Sequence, residues 1–184
     1  MVDGLVGSEM CIRDRYLLDK SKAENLQIRL ADKNKTAAVK LMDGHPNGCA
    51  LGFDIFNTKQ RRDEIQKADI VVSMLPARFH IEVAKDCLNF GKNMVTASYV
   101  SHEMQALNKA VEAKGLLFLN EMGVDPGIDH MSAMQVIDRI KAKGGEMILF
   151  ESFTGGLVAP ESDDNLWQYK FTWNPRNVVV AGQG

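Results

Sequence analysis

The densest group of residues that could do chemistry lies in the segment EMGVDPGIDHMSAM, Glu121 to Met134. Gly123, Pro126 and Gly127 predict a turn that leads into a helix, whose first backbone N–H groups can hold an anion. Asp125 is placed to cap that helix and also to bind a substrate ammonium group. The segment therefore predicts a polar binding site at the start of a helix.

Asp129 and His130 follow in the first helical turn, where the helix dipole favours negative charge. His130 has two interpretations, a general acid or base and a structural hydrogen bonder, and the sequence leaves both open. The four histidines lie far apart in sequence, without the paired spacing of metal ligands, so no metal site is predicted.

An acidic residue, Asp32, follows the β-rich run Leu26 to Ala31. At the end of the second strand of a doubly wound fold, such a residue accepts hydrogen bonds from the adenosine ribose, which favours NAD over NADP. A helix N-cap is the alternative. The glycine fingerprint GxGxxG is not found, since Gly4 and Gly7 have no strand before them. We predict NAD or NADP as cofactor, with a preference for NAD.

Two further strand ends carry candidate ligand groups. Ser73 to Pro76 follow one β-rich run and could present backbone groups to a dinucleotide, or form an ordinary strand-to-helix turn. Thr96 to Tyr99 place hydroxyl groups at the next strand end, although a lone tyrosine is commonly buried with one hydrogen bond. Arg176 follows Pro175 and is either a surface residue or a fork for a carboxylate or phosphate.

The elements that must position these residues alternate between β-rich runs and amphipathic helices, which predicts βαβ units and a parallel sheet. The predicted fold class is α/β: a Rossmann-like parallel sheet lacking its first strand and glycine loop, followed by the start of a second α/β substrate domain. The predicted strands are Leu26 to Ala31, Cys49 to Phe53, Asp69 to Met74, Asn93 to Ala97, Leu116 to Leu119 and Met147 to Phe153; the predicted helices are Arg78 to Phe90, Ser101 to Lys114 and Ile128 to Lys143.

Three domains of unequal character are expected. Residues 1–15 include SEMCIRDR, which resembles a translated sequencing adaptor, so we expect a non-native leader. Residues 16–125 are predicted to form an incomplete NAD(P)-binding domain. Residues 126–184 are predicted to begin a substrate domain that is truncated, because the chain stops directly after an apolar run.

Charge and composition exclude several classes of partner. The chain has 184 residues, with 22 Lys plus Arg against 24 Asp plus Glu and a net charge of -2. This balance predicts no binding to nucleic acid or anionic membranes, and no apolar run approaches the roughly 20 residues of a membrane span. An odd number of cysteines without CxxC spacing predicts no disulfide framework and favours the cytoplasm.

Four segments resemble saccharopine dehydrogenases of the glutamate-forming type: ADIVVSMLPARFH, VTASYVS, EMGVDPGIDHMSAM and GGLVAPESDDNLWQYKFTWNPR. The similarity extends over roughly residues 27–184. It implies a nicotinamide cofactor and the interconversion of saccharopine with glutamate and 2-aminoadipate 6-semialdehyde in lysine metabolism. Thr154 and Val158 depart from the Cys and Pro that are common in that family.

The resemblance also implies roles for individual residues. Asp125 would bind the amino-acid substrate first and act in catalysis second, through a held water. The implied substrate contacts are Ser98, Tyr99 and Asp125, joined by Arg176 as the sharper interpretation of that residue. The implied cofactor contacts are Asp32, Asp54, Ile55, Leu75, Thr96, Ala97, Val124, Pro126 and Asn174.

Two other functions stay open from the sequence. One is a related imine reductase such as carboxynorspermidine dehydrogenase, and the other is a non-catalytic dinucleotide-binding module. We expect weak or no catalysis from the chain as it stands, because the glycine loop and a distal arginine for a substrate carboxylate are missing. A homodimer is an expectation that the sequence does not test.

Overall fold

The computed structural model describes residues 8–153 and 158–170, with side chains from residue 15 onward. The chain divides into two compact units, each described here by itself. The first contains the residues up to Asp69 together with Lys85–Lys92, and the second contains Ile70–Ala84 and the residues from Asn93 onward. The predicted domain boundary near Asp125 stays a prediction.

The first unit is a two-stranded parallel sheet with helices. Asn34 and Asn57 cap α2 and α3, since their side-chain oxygens accept from the N–H groups of Ala37 and Gln60. The strands align from Ile28 opposite Gly48 to Asp32 opposite Gly52, so both carboxyl ends lie at one edge. The elements are α1 (Ser8–Ser21), β1 (Ile28–Asp32), α2 (Lys35–Met42), β2 (Gly48–Gly52) and α3 (Thr58–Lys67).

The second unit contains a three-stranded parallel sheet in the order β3-β4-β5. Ser73 pairs with Thr96, so the carboxyl ends of β3 and β4 also lie side by side. Its elements are β3 (Ile70–Ser73), α4 (His80–Phe90), which ends in the first unit, β4 (Asn93–Thr96), α5 (His102–Ala106), α6 (Asn108–Ala113), β5 (Phe118–Leu119) and α7 (Ile128–Ala142). Short 3-10 turns cover Ala77–Phe79 and Pro160–Ser162.

Each unit has an apolar core of its own. Leu18, Ala38 and Met42 are buried in the first unit, and Met94, Met104 and Val111 are buried in the second. The Cys87 thiol is fully buried, and loss of solvation followed by the negative charge of Asp86 raises its pKa to about 12. No helix in the described part of the chain is long and apolar enough to cross a membrane.

The parallel α/β prediction is confirmed, and two details of it are wrong. The predicted helix from Ser101 to Lys114 is interrupted at Leu107, which separates α5 from α6. The predicted strand at Met147 to Phe153 does not form, because no strand among the described residues pairs with it; Ile148 is 94% exposed. The described residues before β1 form α1, so no strand and glycine loop precede β1 there.

Candidate functional site at the strand ends

The segments that follow β4 and β5 are joined by backbone hydrogen bonds. The Met122 N–H donates to the Thr96 carbonyl at 3.1 Å, and the Glu121 N–H donates to the Ser98 carbonyl at 3.0 Å. The Glu121 carboxylate accepts from the Val100 N–H at 3.3 Å. The structure therefore holds the Ser98 segment against the chain that leads to Asp125.

The loop from Gly123 to Gly127 closes on itself. The Gly123 N–H donates to the Pro126 carbonyl at 2.9 Å, and the Ile128 N–H donates to the Gly123 carbonyl at 3.0 Å. Gly127 has φ of 154°, and a Cβ there would lie 2.1 Å from the Gly123 carbonyl oxygen. Only glycine fits this position, so close backbone packing between Gly123 and Gly127 fixes the path of the loop that carries Asp125.

Asp125, Asp129 and His130 come together at the start of α7. Their potential ligand atoms all lie within 4.8 Å of one another. The Asp129 carboxylate accepts from the Gly127 N–H at 2.8 Å and contacts Nδ1 of His130 at 2.7 Å. The absence of a metal site stays a prediction, but the sequence argument for it overlooked this cluster, because Asp125 is brought near His130 by the loop.

Two expectations about this helix start are wrong. Asp125 does not cap α7, because the helix begins at Ile128, as predicted, and its N-cap is Gly127. The first N–H groups are also not all free for an anion, since Ile128 and Asp129 donate to the carbonyls of Gly123 and Val124. Carboxylates surround this point, so it favours a cation.

The charges at this helix start shift the pKa values of the groups beside them. The hydrogen bond and charge of Asp129 raise the pKa of His130, and Asp125 and Glu121 add to that effect. The bond to His130 in turn lowers the pKa of Asp129. Loss of solvation and then the charge of Asp125 raise the pKa of Tyr99, so the tyrosine hydroxyl stays protonated near neutrality. Tyr99 and Asp125 therefore share one electrostatic environment.

A buried polar cluster of Ser73, His80 and Thr96 lies at the carboxyl ends of β3 and β4. Nδ1 of His80 is 2.8 Å from the Ser73 hydroxyl, and Nε2 is 3.4 Å from the Thr96 hydroxyl. Exposure is 4% for Ser73, 5% for His80 and 1% for Thr96. The predicted cofactor contact of Thr96 is therefore left to its backbone, because its hydroxyl faces His80.

Asp32 ends β1 as predicted, but it does not cap the helix that follows. Its carboxylate accepts from the Asn34 N–H at 2.7 Å, and Asn34 is the cap of α2. Lys33 and Lys35 are exposed beside it, and the stem of Lys35 runs over Gly52 at the end of β2, 3.4 Å from where a Cβ would be. Two exposed lysines therefore follow Asp32 at the carboxyl end of β1.

The loop after β2 contains the predicted contacts Asp54 and Ile55, and it is held from below by Arg61. The Arg61 guanidinium donates to the Ile55 carbonyl at 2.8 Å and to the Asp86 carboxylate at 2.7 Å. The Asp54 carboxylate accepts from the Phe56 N–H at 3.0 Å. The buried Arg61 was not predicted, since it lies in a helix sequence that is almost entirely polar.

The remaining predicted contacts fall in different environments. Leu75, Ala97 and Ser98 are half-buried, Pro126 is buried, and Val124 is 67% exposed. Asn174, Arg176 and Thr154 lie outside the described residues. The structure thus brings Ser98, Tyr99 and Asp125 to one edge of the second unit, with Val124 beside Asp125.

Comparison with known families identifies two adjacent matches. The "Saccharopine dehydrogenase NADP binding domain" model matches residues 4–119. The "Saccharopine dehydrogenase C-terminal domain" model matches residues 123–184. Together they cover most of the chain.

Curated relatives agree with those matches. A "Saccharopine dehydrogenase [NADP(+), L-glutamate-forming]" of Pyricularia oryzae is 37% identical over 91% of this chain and 37% of its own length. An "Alpha-aminoadipic semialdehyde synthase" of Arabidopsis thaliana is 34% identical over 97% of this chain and 17% of its own length. The chain thus spans well under half of each of these relatives. Because the family description and the fungal name specify NADP, the preference for NAD drawn from Asp32 is not supported.

Solved structures show the same relation. The apo saccharopine dehydrogenase (L-Glu forming) of Saccharomyces cerevisiae superposes with a TM-score of 0.77 and 31% identity, over 95% of this chain and 39% of that one. An NAD binding oxidoreductase of Klebsiella pneumoniae gives a TM-score of 0.51 at 16% identity over 76% of this chain, which is a likeness of fold alone.

Proposed function

Because the chain belongs to the saccharopine dehydrogenase family, we propose that it serves an oxidoreductase that interconverts saccharopine with L-glutamate and 2-aminoadipate 6-semialdehyde. The carrying observation is the edge of the second unit where Tyr99 and Asp125 share an electrostatic environment and Ser98 is held beside them. The names of the fungal and plant relatives support this substrate class.

The charge of the site supports binding of an amino acid through its nitrogen. Glu121, Asp125 and Asp129 all raise the pKa of Tyr99, so their carboxylates act on the same small volume. A substrate ammonium group or the secondary amine of saccharopine would be stabilised there by opposite charge. The hydroxyls of Ser98 and Tyr99 would bind a neighbouring polar group of the substrate.

We propose NADP as the cofactor in place of the NAD first expected. The residues at the end of β1 fit its adenosine end, because exposed Lys33 and Lys35 follow Asp32, whose carboxylate already accepts from the Asn34 N–H. Lysine supplies the positive charge that a ribose phosphate requires. Asp54 and Ile55, held by Arg61, would lie on the adenine side.

When bound, the dinucleotide supplies a hydride acceptor and donor. The tasks of this chain are to hold the substrate nitrogen near the carboxylates and to accept the proton released when water adds to the protonated imine that hydride loss leaves on the substrate. Asp125 is exposed and can hold that water, so we assign it binding first and proton transfer second. The His130 and Asp129 pair is a second group that can carry a proton at the same helix start.

A chimera provides the functional test, because the chain alone is expected to show weak or no turnover. This chain replaces the matching 37% of the Pyricularia enzyme, and reduction of NADP⁺ is followed by ultraviolet absorbance with saccharopine as substrate. We expect turnover that the Asp125→Asn variant lowers by about 100-fold. The chimera with Asp138→Asn, an exposed aspartate on α7, serves as the matched control.

Two outcomes would contradict the proposal. A chimera that requires a carboxylated polyamine and ignores saccharopine would support the carboxynorspermidine dehydrogenase alternative. A chimera that binds NADPH but turns over neither substrate would support a non-catalytic dinucleotide-binding module. The cofactor assignment fails separately if Lys33→Ala and Lys35→Ala leave NADPH affinity unchanged, with exposed Lys40→Ala as the control.

Location and assembly stay predictions. We propose the cytoplasm, as expected from the cysteine usage, and separately a homodimer. A rat relative, 44% identical over 63% of this chain, carries the name "Alpha-aminoadipic semialdehyde synthase, mitochondrial". Cell fractionation and light scattering of the purified protein would decide both points.

A further inference from the structure

We propose that His80 is a positioning residue for residues 97–99, the substrate loop: its buried ring holds the Ser73 and Thr96 hydroxyls in place, and Thr96 in turn holds the backbone of Ser98. The proposal rests on the proposed function for the identity of the substrate. It rests on the geometry of the second unit for the hydrogen-bond chain itself.

The imidazole ring of His80 lies beside the ends of β3 and β4. His80 begins α4, and its imidazole lies against the last residues of β3 and β4, which are paired in the sheet. The Ser73 hydroxyl is 2.8 Å from Nδ1, and the Thr96 hydroxyl is 3.5 Å from Nδ1 and 3.4 Å from Nε2. One ring therefore links both strand ends through their side chains.

A hydrogen bond leads from Thr96 to the substrate loop. The Thr96 hydroxyl oxygen accepts from the Ser98 N–H at 3.3 Å. The Thr96 carbonyl accepts from Met122, and the Ser98 carbonyl accepts from Glu121, so the backbone on both sides of Ala97 is fixed. The rotamer of Thr96 thus fixes the backbone position of Ser98, and with it that of the adjoining Tyr99.

The cluster of Ser73, His80 and Thr96 is buried and uncharged near neutral pH. All three side chains are at most 5% exposed, so bulk water cannot replace a lost hydrogen bond at low cost. Loss of solvation lowers the pKa of His80 to about 4, so the ring is neutral near neutral pH and can both donate and accept. A neutral ring suits a joint between two hydroxyl groups.

A pair of variants separates ring volume from hydrogen bonding. His80→Phe keeps an aromatic ring and removes both nitrogens, whereas His80→Asn restores a polar group near the position of Nδ1. Thr96→Val removes the hydroxyl that accepts from Ser98 with little change of shape. His102→Phe, an exposed histidine at the start of α5, is the matched control.

The decisive measurement is amide hydrogen exchange at Ser98, read by nuclear magnetic resonance on this chain. We expect about tenfold faster exchange in His80→Phe and Thr96→Val, partial recovery in His80→Asn, and no change in His102→Phe. L-Glutamate and saccharopine, titrated into the Pyricularia chimera with and without His80→Phe, should bind about tenfold more weakly to the variant while its global unfolding stays cooperative.

The outcomes distinguish the positioning role of His80 from the proposed function. Unchanged Ser98 exchange in His80→Phe or Thr96→Val would overturn the proposal. Faster exchange with unchanged affinity for both probes would also overturn it, since His80 would then have only a structural role. A wild-type chimera that binds neither probe contradicts the proposed function instead, and the exchange comparison on this chain still decides whether His80 holds Ser98. If His80→Phe does not fold, exchange at Ser98 in His80→Asn is compared with wild type instead, and no increase there would overturn the proposal.

Discussion

In each unit a loop that follows a β-strand is held by a buried polar group, which is charged in the first unit and neutral in the second. In the first unit, the Arg61 guanidinium holds the Ile55 carbonyl and is paired with the Asp86 carboxylate. In the second, neutral His80 joins two hydroxyls. A buried charged group makes stronger hydrogen bonds, but the protein loses much stability when the partner of that charge is removed. A buried neutral ring costs less stability when it loses a partner, and it becomes charged in acid.

The largest expected effect is loss of the charge pair in the first unit. Asp86→Ala leaves the guanidinium of Arg61, only 6% exposed, without its carboxylate. We expect the free energy of unfolding to fall by about 3–5 kcal/mol, as for other broken buried pairs. Urea denaturation followed by circular dichroism measures this value. Asp63→Ala, on the exposed side of α3, is the control, and an equal loss there would remove the contrast between the units.

The next effect belongs to the neutral support and depends on pH. The pKa of His80 is about 4 in the folded state against 6.5 as the ordinary value, so the unfolded chain binds the proton more readily. The stability of this support is therefore complete above pH 6.5 and is lost as the pH falls toward 4, by about 3 kcal/mol. Denaturation of wild type and His80→Asn at several pH values measures the difference, and parallel pH curves would refute it.

Removal of a single hydroxyl from the neutral support should cost less. Ser73→Ala deletes one bond to Nδ1 of His80, and Thr96 still contacts the ring. We expect a loss of about 1 kcal/mol, with faster amide exchange confined to the ends of β3 and β4. Ser132→Ala on the exposed face of α7 is the control. A loss as large as that of Asp86→Ala would contradict the contrast.

The smallest effect is expected from an ion pair of the first unit that lies near the surface. Arg29 and Glu64 approach to 2.6 Å, but the Arg29 side chain is 38% exposed. Glu64→Gln should lower the free energy of unfolding by about 0.5 kcal/mol, and added salt should reduce that loss further. Denaturation with and without salt measures it. A loss comparable to that of Asp86→Ala would show that burial does not govern these pairs.

The strand ends were predictable from sequence because the β-rich runs and the residues that end them can both be recognised there. β-rich runs followed by Asp32, Ser73 and Thr96 gave the parallel sheet, and parallel strands place such residues at one edge. The segment after β5 was predictable for the same reason, since Gly123 and Gly127 indicated a turn before a helix.

The supports beneath those ends were not predictable. His80 stands alone at a helix start, and its role depends on β3 and β4 being neighbours, which is a tertiary fact. Arg61 lies in the polar helix TKQRRDEIQK, where an arginine reads as a surface residue. Asp125 was misjudged as a cap because the closure between Gly123 and Gly127 is a backbone contact that leaves no side-chain pattern.

The closed loop from Gly123 to Gly127 also has a consequence for how this site can change. Because glycine backbone and the Pro126 carbonyl hold the loop, the side chains of Val124 and Asp125 take no part in its closure. Both are exposed and can be exchanged while the peptide path stays the same. The loop thus acts as a constant frame with two interchangeable positions, where natural variation or a designed library could alter amine preference without rebuilding the fold.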